Sequence, residues 1–272
     1  MSIFESIVLG LVQGLTEFLP VSSSGHLTLG KAIFGIETSD LSFEIIVHAA
    51  TVLSTIVVFR KEIWNLLSGF FKFKYNDETD YIFKIVISMI PVGIVGVCFK
   101  DYVEQIFGSG ILVVGIMLIL TAFLLFISEK ISARVSAKAA APSSRNGLSY
   151  GKAFVIGIAQ AFAVLPGLSR SGSTIATGLM LGVRKEDIAK FSFLMVLVPI
   201  LGEAFLELVG GSFSAAQTGI SSAALICGGI TAFVSGFIAC KWMISIVKKA
   251  KLWIFSVYCL IVGVVSIVLS LI

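Results

Sequence analysis

The sequence predicts an all-α polytopic membrane protein, with six spanning helices plus two re-entrant helical hairpins arranged as an inverted-topology repeat. Three observations lead there. The chain is 57% hydrophobic and only 13% charged over 272 residues, with a mean hydropathy of +1.04, and it holds several apolar runs near the length of about 20 residues that a spanning helix needs. Two further pairs of apolar runs are interrupted by Pro, Gly and Ser. The halves also repeat each other: Gly10 and Gly157, Gln13 and Gln160, Ser22 and Ser169, Ser24 and Ser171, Gly25 and Gly172, and Gly35 and Gly182 all pair at one offset of 147 residues.

The first element is a broken hairpin, residues 3–19 with 27–35. It carries Glu5 and Glu17 and lacks a basic start, so it reads as part of the mature fold and not as a cleaved leader. Spans follow at 41–59, 82–99 and 111–127. Long continuous apolar runs suit helices, whose backbone is satisfied internally, whereas barrel strands would alternate. A second broken hairpin, 153–165 with 175–182, precedes spans at 188–209, 220–239 and 252–272. Non-helical backbone at membrane depth is tolerated only where protein or a water-filled cavity surrounds it, so both hairpins should tuck inside. The division is then a first repeat at 1–128, a linker at 129–152 and a second repeat at 153–272, forming one integral membrane domain. Three spans per half is an odd number. The second half therefore enters from the opposite side, and the hairpins meet near the midplane.

Charge orients the chain. The 129–152 linker holds Lys130, Arg134, Lys138, Arg145 and Lys152 against Glu129, and the loop after the fifth span holds Lys241, Lys248, Lys249 and Lys251. The positive-inside rule puts both in the cytoplasm, with the termini and the first hairpin's mouth outside. The 60–81 loop is charge-balanced and falls inside; its Ile63 to Phe71 stretch reads as interfacial or as a plain surface loop. The net charge of +4 is accounted for by these loops, and no nucleic-acid partner follows. Cys98, Cys227, Cys240 and Cys259 are scattered singly through apolar segments and read as small packing side chains, implying neither disulfides nor a zinc site.

The polar chemistry sits in the hairpins. Gln13 and Glu17 are four apart and share a helix face, Pro20 stops that helix, and Ser22, Ser23 and Ser24 are placed to cap the next, with Gly25 and His26 behind them. The second hairpin repeats the pattern with Ser169, Ser171, Gly172 and Thr174 at a helix start, but places Arg170 where the first has Ser23 and Val164 where the first has Glu17. Charged groups at membrane depth are costly, so Glu17, His26 and Arg170 should converge. Two helix N-termini, an arginine fork, an imidazole and a carboxylate together suit a phosphate or diphosphate group. Ser23 or His26 is the nucleophile; in the first case His26 is the base and Glu17 orients it. Glu44 follows the first hairpin, near the site; His48, four residues on, and Glu203 with Glu207 read as helix packing by hydrogen bonds.

The segments from Gln13 to His26 (QGLTEFLPVSSSGH) and from Pro166 to Thr174 (PGLSRSGST) closely resemble the two signatures of the undecaprenyl-diphosphate phosphatase family, also called bacitracin-resistance proteins. The resemblance extends over the whole chain in length, spacing and hydropathy. It implies a bacterial inner-membrane phosphatase that converts the C55 polyprenyl diphosphate to the monophosphate carrier of cell-wall synthesis, with catalytic Glu17, Ser23, His26 and Arg170. It implies diphosphate binding by Gln13, Ser22, Ser24, Gly25, Ser169, Ser171, Gly172 and Thr174. It further implies stimulation by Mg2+ or Ca2+, loosely held on the diphosphate with Glu17 as candidate ligand. Gln13 leaves one carboxylate where many members carry two. The expected partners are the lipid diphosphate and the bilayer, and a homodimer is left open. The rival reading is a polyprenyl-phosphate flippase or secondary transporter, which shares inverted repeats and midplane polar sites. A second class of lipid phosphatases, with a Ser-Gly-His motif among others, needs two site histidines and motifs that are missing here.

Overall fold

The computed structural model describes residues 1–36, 42–99, 102, 106, 110–138, 147–210, 220–249 and 251–271. Among these residues the chain is helical throughout, without strands. In the first half run α1 (Ile3–Thr16), α2 (Ser23–Ile33), α3 (Ser42–Val58), α4 (Arg60–Phe70), α5 (Asp77–Cys98) and α6 (Gly110–Lys138). In the second run α7 (Tyr150–Phe162), α8 (Arg170–Met180), α9 (Lys185–Met195), α10 (Leu197–Gly210), α11 (Ser222–Lys249) and α12 (Trp253–Leu271). Arg145 and the side chains of Lys138, Glu203, Glu207, Lys248 and Lys249, on which the sequence placed expectations, lie outside the described part of the molecule.

Four described helices, α5, α6, α11 and α12, are long and apolar enough to cross a membrane. They keep large apolar side chains on their outer surfaces, as Ile90 and Ile94 on α5 and Ile261 and Val265 on α12 show. In water that surface would be costly; against lipid tails it is the expected state. The chain is accordingly a multi-pass membrane protein.

Two of the six expected spans differ from simple rods. Segment 41–59 continues past α3 into α4 through a 75° bend, so the 63–71 stretch is a helix, with Trp64 and Leu67 exposed. Segment 188–209 is divided into α9 and α10, neither of which has the length of a span alone. The restart has a local cause: Pro199 lacks an N–H and fits the first turn of α10, where that donor has no helical partner anyway.

Both hairpins form at the expected register. α1 stops at Thr16, ahead of Pro20, and α2 restarts with Ser22 as N-cap, its Oγ accepting the Gly25 amide at 3.2 Å. α7 stops at Phe162, and α8 restarts with Ser169 as N-cap, its Oγ accepting the Gly172 amide at 3.0 Å. Between them Gly167 has φ +89°, and a Cβ there would lie 2.6 Å from the Val114 carbonyl, so only glycine fits.

Each hairpin docks on a helix of the other half. α1 packs on α11, where Gly14 meets the Gly236 amide and the Ala232 carbonyl, and Gly10 meets Gly228. α7 packs on α5, where Gly157 meets the Ser88 carbonyl. Helices α6 and α12 close against each other at Gly115 and Gly263. Small residues let backbones approach, which is how helices gain contact when lipid removes the hydrophobic drive. The largest apolar cluster among the described residues includes Phe193 of α9, which meets Phe18 at 5.7 Å between ring centres and Phe59 at 6.2 Å.

Candidate active site

The two hairpin turns touch. A Cβ on Gly25 would come within 3.2 Å of the Gly167 Cα, and Ser171 Oγ donates to the Leu19 carbonyl at 3.0 Å. Thr121 of α6 braces the second turn by accepting the Ser169 amide at 3.0 Å. These contacts fix residues that are 153 apart in sequence within reach of each other.

At the junction Glu17, 8% exposed, gathers donors from both hairpins. Its Oε1 is paired with Arg170 Nη2 of α8. Its Oε2 accepts the Ser23 hydroxyl at 2.6 Å and Gln13 Nε2 at 2.8 Å. A buried carboxylate is tolerable only when paired and hydrogen-bonded, and here both oxygens are. A small cleft beside the pair is lined by Glu17, Thr51, Thr55, Arg170, Ser171 and Ser192.

His26 is placed differently from the expectation. Its Nδ1 donates to the Ser22 carbonyl at 2.8 Å, and its Nε2 accepts from the Tyr258 hydroxyl at 2.7 Å. The rings of His26 and Tyr258 lie parallel, 5.6 Å apart. With both nitrogens engaged, the imidazole is bonded neither to Ser23 nor to Glu17, and the carboxylate itself stands where a base for Ser23 was expected. Several other expected binding hydroxyls have structural partners: Ser22 and Ser169 cap their helices, Ser24 lies 3.3 Å from Ser22 Oγ, and Thr174 shares a 2.7 Å bond with Ser192. Ser22 has φ 67°, a left-handed conformation that costs a non-glycine residue on the order of 1–3 kcal/mol and collects at functional sites.

Two residues were not read into the site from sequence. His48 of α3, taken as helix packing, has Nε2 3.6 Å from Glu17 Oε2; the signal for it was one of only two histidines in the chain, inside an apolar helix. Tyr258 carried no sequence signal, being one aromatic side chain in an apolar run. Among the described residues no group of three or more His, Cys, Asp or Glu side chains gathers; Glu17, the candidate metal ligand, has its oxygens on Arg170, Ser23 and Gln13.

The family model described as bacitracin resistance protein BacA matches residues 6–265. The chain is 58% identical over 271 residues to an undecaprenyl-diphosphatase of Bacteroides fragilis, covering 98% of each chain. It is 58% identical over 275 residues to one of Parabacteroides distasonis, covering 100% of this chain and 99% of the relative. It is 56% identical over 273 residues to one of Bacteroides thetaiotaomicron, covering 100% of both. A match of this extent, centred on a chain whose two hairpins close around one buried ion pair, shows that it belongs to the bacitracin resistance protein BacA family.

Proposed function

We propose that the protein hydrolyses undecaprenyl diphosphate to undecaprenyl phosphate and inorganic phosphate, recycling the lipid carrier for cell-wall synthesis and conferring bacitracin resistance. The observation that carries the reading is the Ser23 hydroxyl hydrogen-bonded to a buried carboxylate whose other oxygen is paired with Arg170 of the opposing hairpin. The full-length similarity to undecaprenyl-diphosphatases supplies the substrate.

Ser23 Oγ attacks the terminal phosphorus while its proton passes to Glu17 Oε2; the Oγ–P bond forms and the bridging P–O bond breaks, releasing the lipid monophosphate. Water then cleaves the phosphoserine, returning the proton to Oγ and releasing phosphate. Arg170 swings part of its fork from Glu17 to the equatorial phosphoryl oxygens, where charge builds in the transition state. The first-turn amides of α2 and α8, which have no intrahelical partner, add donors. His26, one turn after Ser23, binds the lipid-side phosphate by taking a proton at Nε2 and exchanging Tyr258 for a phosphate oxygen. A divalent cation, Mg2+ or Ca2+, would neutralise diphosphate charge, with Glu17 the residue that would hold it.

The finer topology belongs to the same reading. α3 with α4, and α9 with α10, serve as bent spans, giving six crossings and two re-entrant hairpins in opposed orientation. Supporting this is the reciprocal docking of α1 on α11 and α7 on α5, which a pseudo-two-fold axis generates. Lys130, Arg134 and Lys152 near the 139–149 connection favour a cytoplasmic linker in an inner-membrane protein, with the first hairpin opening outward.

The test is phosphate release from polyprenyl diphosphate by purified protein in detergent, where no gradient exists. Turnover there, with an acid-stable phosphate on Ser23 after rapid quench, is expected. Lipid movement without hydrolysis would return the flippase reading, and phosphate recovered on His26 would exchange the roles of the two residues.

A further inference from the structure

One polar pair beside the site has no part in this catalytic cycle. Glu44 and His48 lie one turn apart on α3, and His48 Nδ1 stands 2.7 Å from the Glu44 carbonyl. A carbonyl only accepts, so Nδ1 carries the hydrogen, and in the neutral ring Nε2 presents a lone pair. Nε2 lies 3.6 Å from Glu17 Oε2, the oxygen that also takes the Ser23 hydroxyl. Two acceptors facing each other across this distance repel unless a proton lies between them, on the ring or on a bridging water. Helix packing gives no reason for such an approach. A seat for a proton does.

We infer that His48 takes over the proton that Glu17 accepts from Ser23, acting through Glu17 and not on the substrate. This rests on Ser23 being the nucleophile. In the first half-reaction the proton moves from Ser23 Oγ to Glu17 Oε2 and on to His48 Nε2. Glu17 is thereby ionised again, beside Arg170, before the phosphoserine is opened. In the second half-reaction water gives one proton to Glu17 as its oxygen bonds to phosphorus and the Ser23 Oγ–P bond breaks; Glu17 passes that proton to Oγ, and His48 then returns the one it holds through Glu17 to the departing phosphate. The second proton of the water stays on the phosphate, so the cycle closes with every group restored. The charges around His48 fit a transient imidazolium. Glu17 faces it directly, Arg170 lies on the far oxygen of Glu17, and one turn back Glu44 is already paired with Lys31 of α2.

Two substitutions separate a proton seat from a hydrogen-bonding spacer. His48→Gln places an amide near the Nε2 position and His48→Asn places one near Nδ1, so each keeps a different hydrogen bond and neither carries a proton. Both are expected to lower kcat by about 100-fold, the lower end of general acid–base effects, with KM within twofold of wild type. Wild-type-like kcat in either variant overturns the inference, because an amide would then suffice. A fall confined to KM overturns it too. Should one variant lose its wild-type thermal midpoint, the other decides. Quenching the wild-type enzyme in the same series keeps the two readings apart. Phosphoserine at Ser23 with an unaffected His48→Gln removes only the role of His48, whereas no phosphate on Ser23 removes the nucleophile assignment itself.

Discussion

The two hairpins share a backbone plan and divide the chemistry. Each is a helix, a turn and a serine-capped helix at the same register, each docks on a long helix of the other half, and each buries a glutamine, Gln13 or Gln160. Yet Glu17 corresponds to Val164, Ser23 to Arg170 and His26 to Ser173. The carboxylate and the guanidinium do not occupy equivalent positions, so their pairing crosses between the hairpins and requires both. Gln13 donates to Glu17 at 2.8 Å, whereas among the described residues neither amide atom of Gln160 has a hydrogen-bond partner. The shared plan is the scaffold, and the chemistry lies where the two hairpins differ.

The comparison breaks most severely at Ser23. Ser23→Ala should lower kcat by about 10⁴-fold or more, as loss of a nucleophile does elsewhere, measured as phosphate release from the lipid diphosphate. Next comes a transplant: Glu17→Val combined with Val164→Glu moves the carboxylate to the matching place in the other hairpin. Activity should fall by about 10²- to 10⁴-fold, the worth of a positioned base; recovery of wild-type turnover would show the hairpins to be interchangeable. Arg170→Lys keeps the charge and loses the fork, and should cost about 1.5–3 kcal/mol in kcat/KM. Equal kcat/KM for wild type and this variant would remove the bidentate role.

The shared part of the plan should answer symmetrically. Gly10→Ala and Gly157→Ala each push a methyl into a facing backbone, at Gly228 and Ser88, and each should destabilise by about 1–3 kcal/mol. Thermal midpoints in detergent that drop for one and not for the other would deny the common docking. The smallest effect is expected from Tyr258→Phe, which removes one neutral hydrogen bond to His26, about 0.5–1.5 kcal/mol; a loss beyond 100-fold in kcat would give Tyr258 a direct role.

Much of this was legible in the chain itself. The caps at Ser22 and Ser169, the stop ahead of Pro20 and the approach of Glu17 to Arg170 follow from local rules and from the cost of charge in lipid. Bends escaped the sequence reading because hydropathy reports only that a segment is apolar. Nothing in 41–59 says that the helix turns 75° beyond Val58, and the division of 188–209 hangs on the single Pro199. Orientation of rings escaped too. His26 sits where the motif places it, but its partner comes from α12, 232 residues away, and His48 reaches Glu17 only because α3 packs alongside the first hairpin.

The reciprocal docking of the halves bears on biosynthesis. Emerging from the ribosome, α1 has no α11 to lean on until more than 200 residues later in the chain, so the earliest hairpin cannot reach its mature seat when it is made. It must be parked by the insertion machinery or at the bilayer edge while the remaining helices are threaded. Helix α11, made much later, therefore closes the lock on α1, and a product stalled before it would leave polar serines and Glu17 without their enclosure, a clear mark for quality-control proteases.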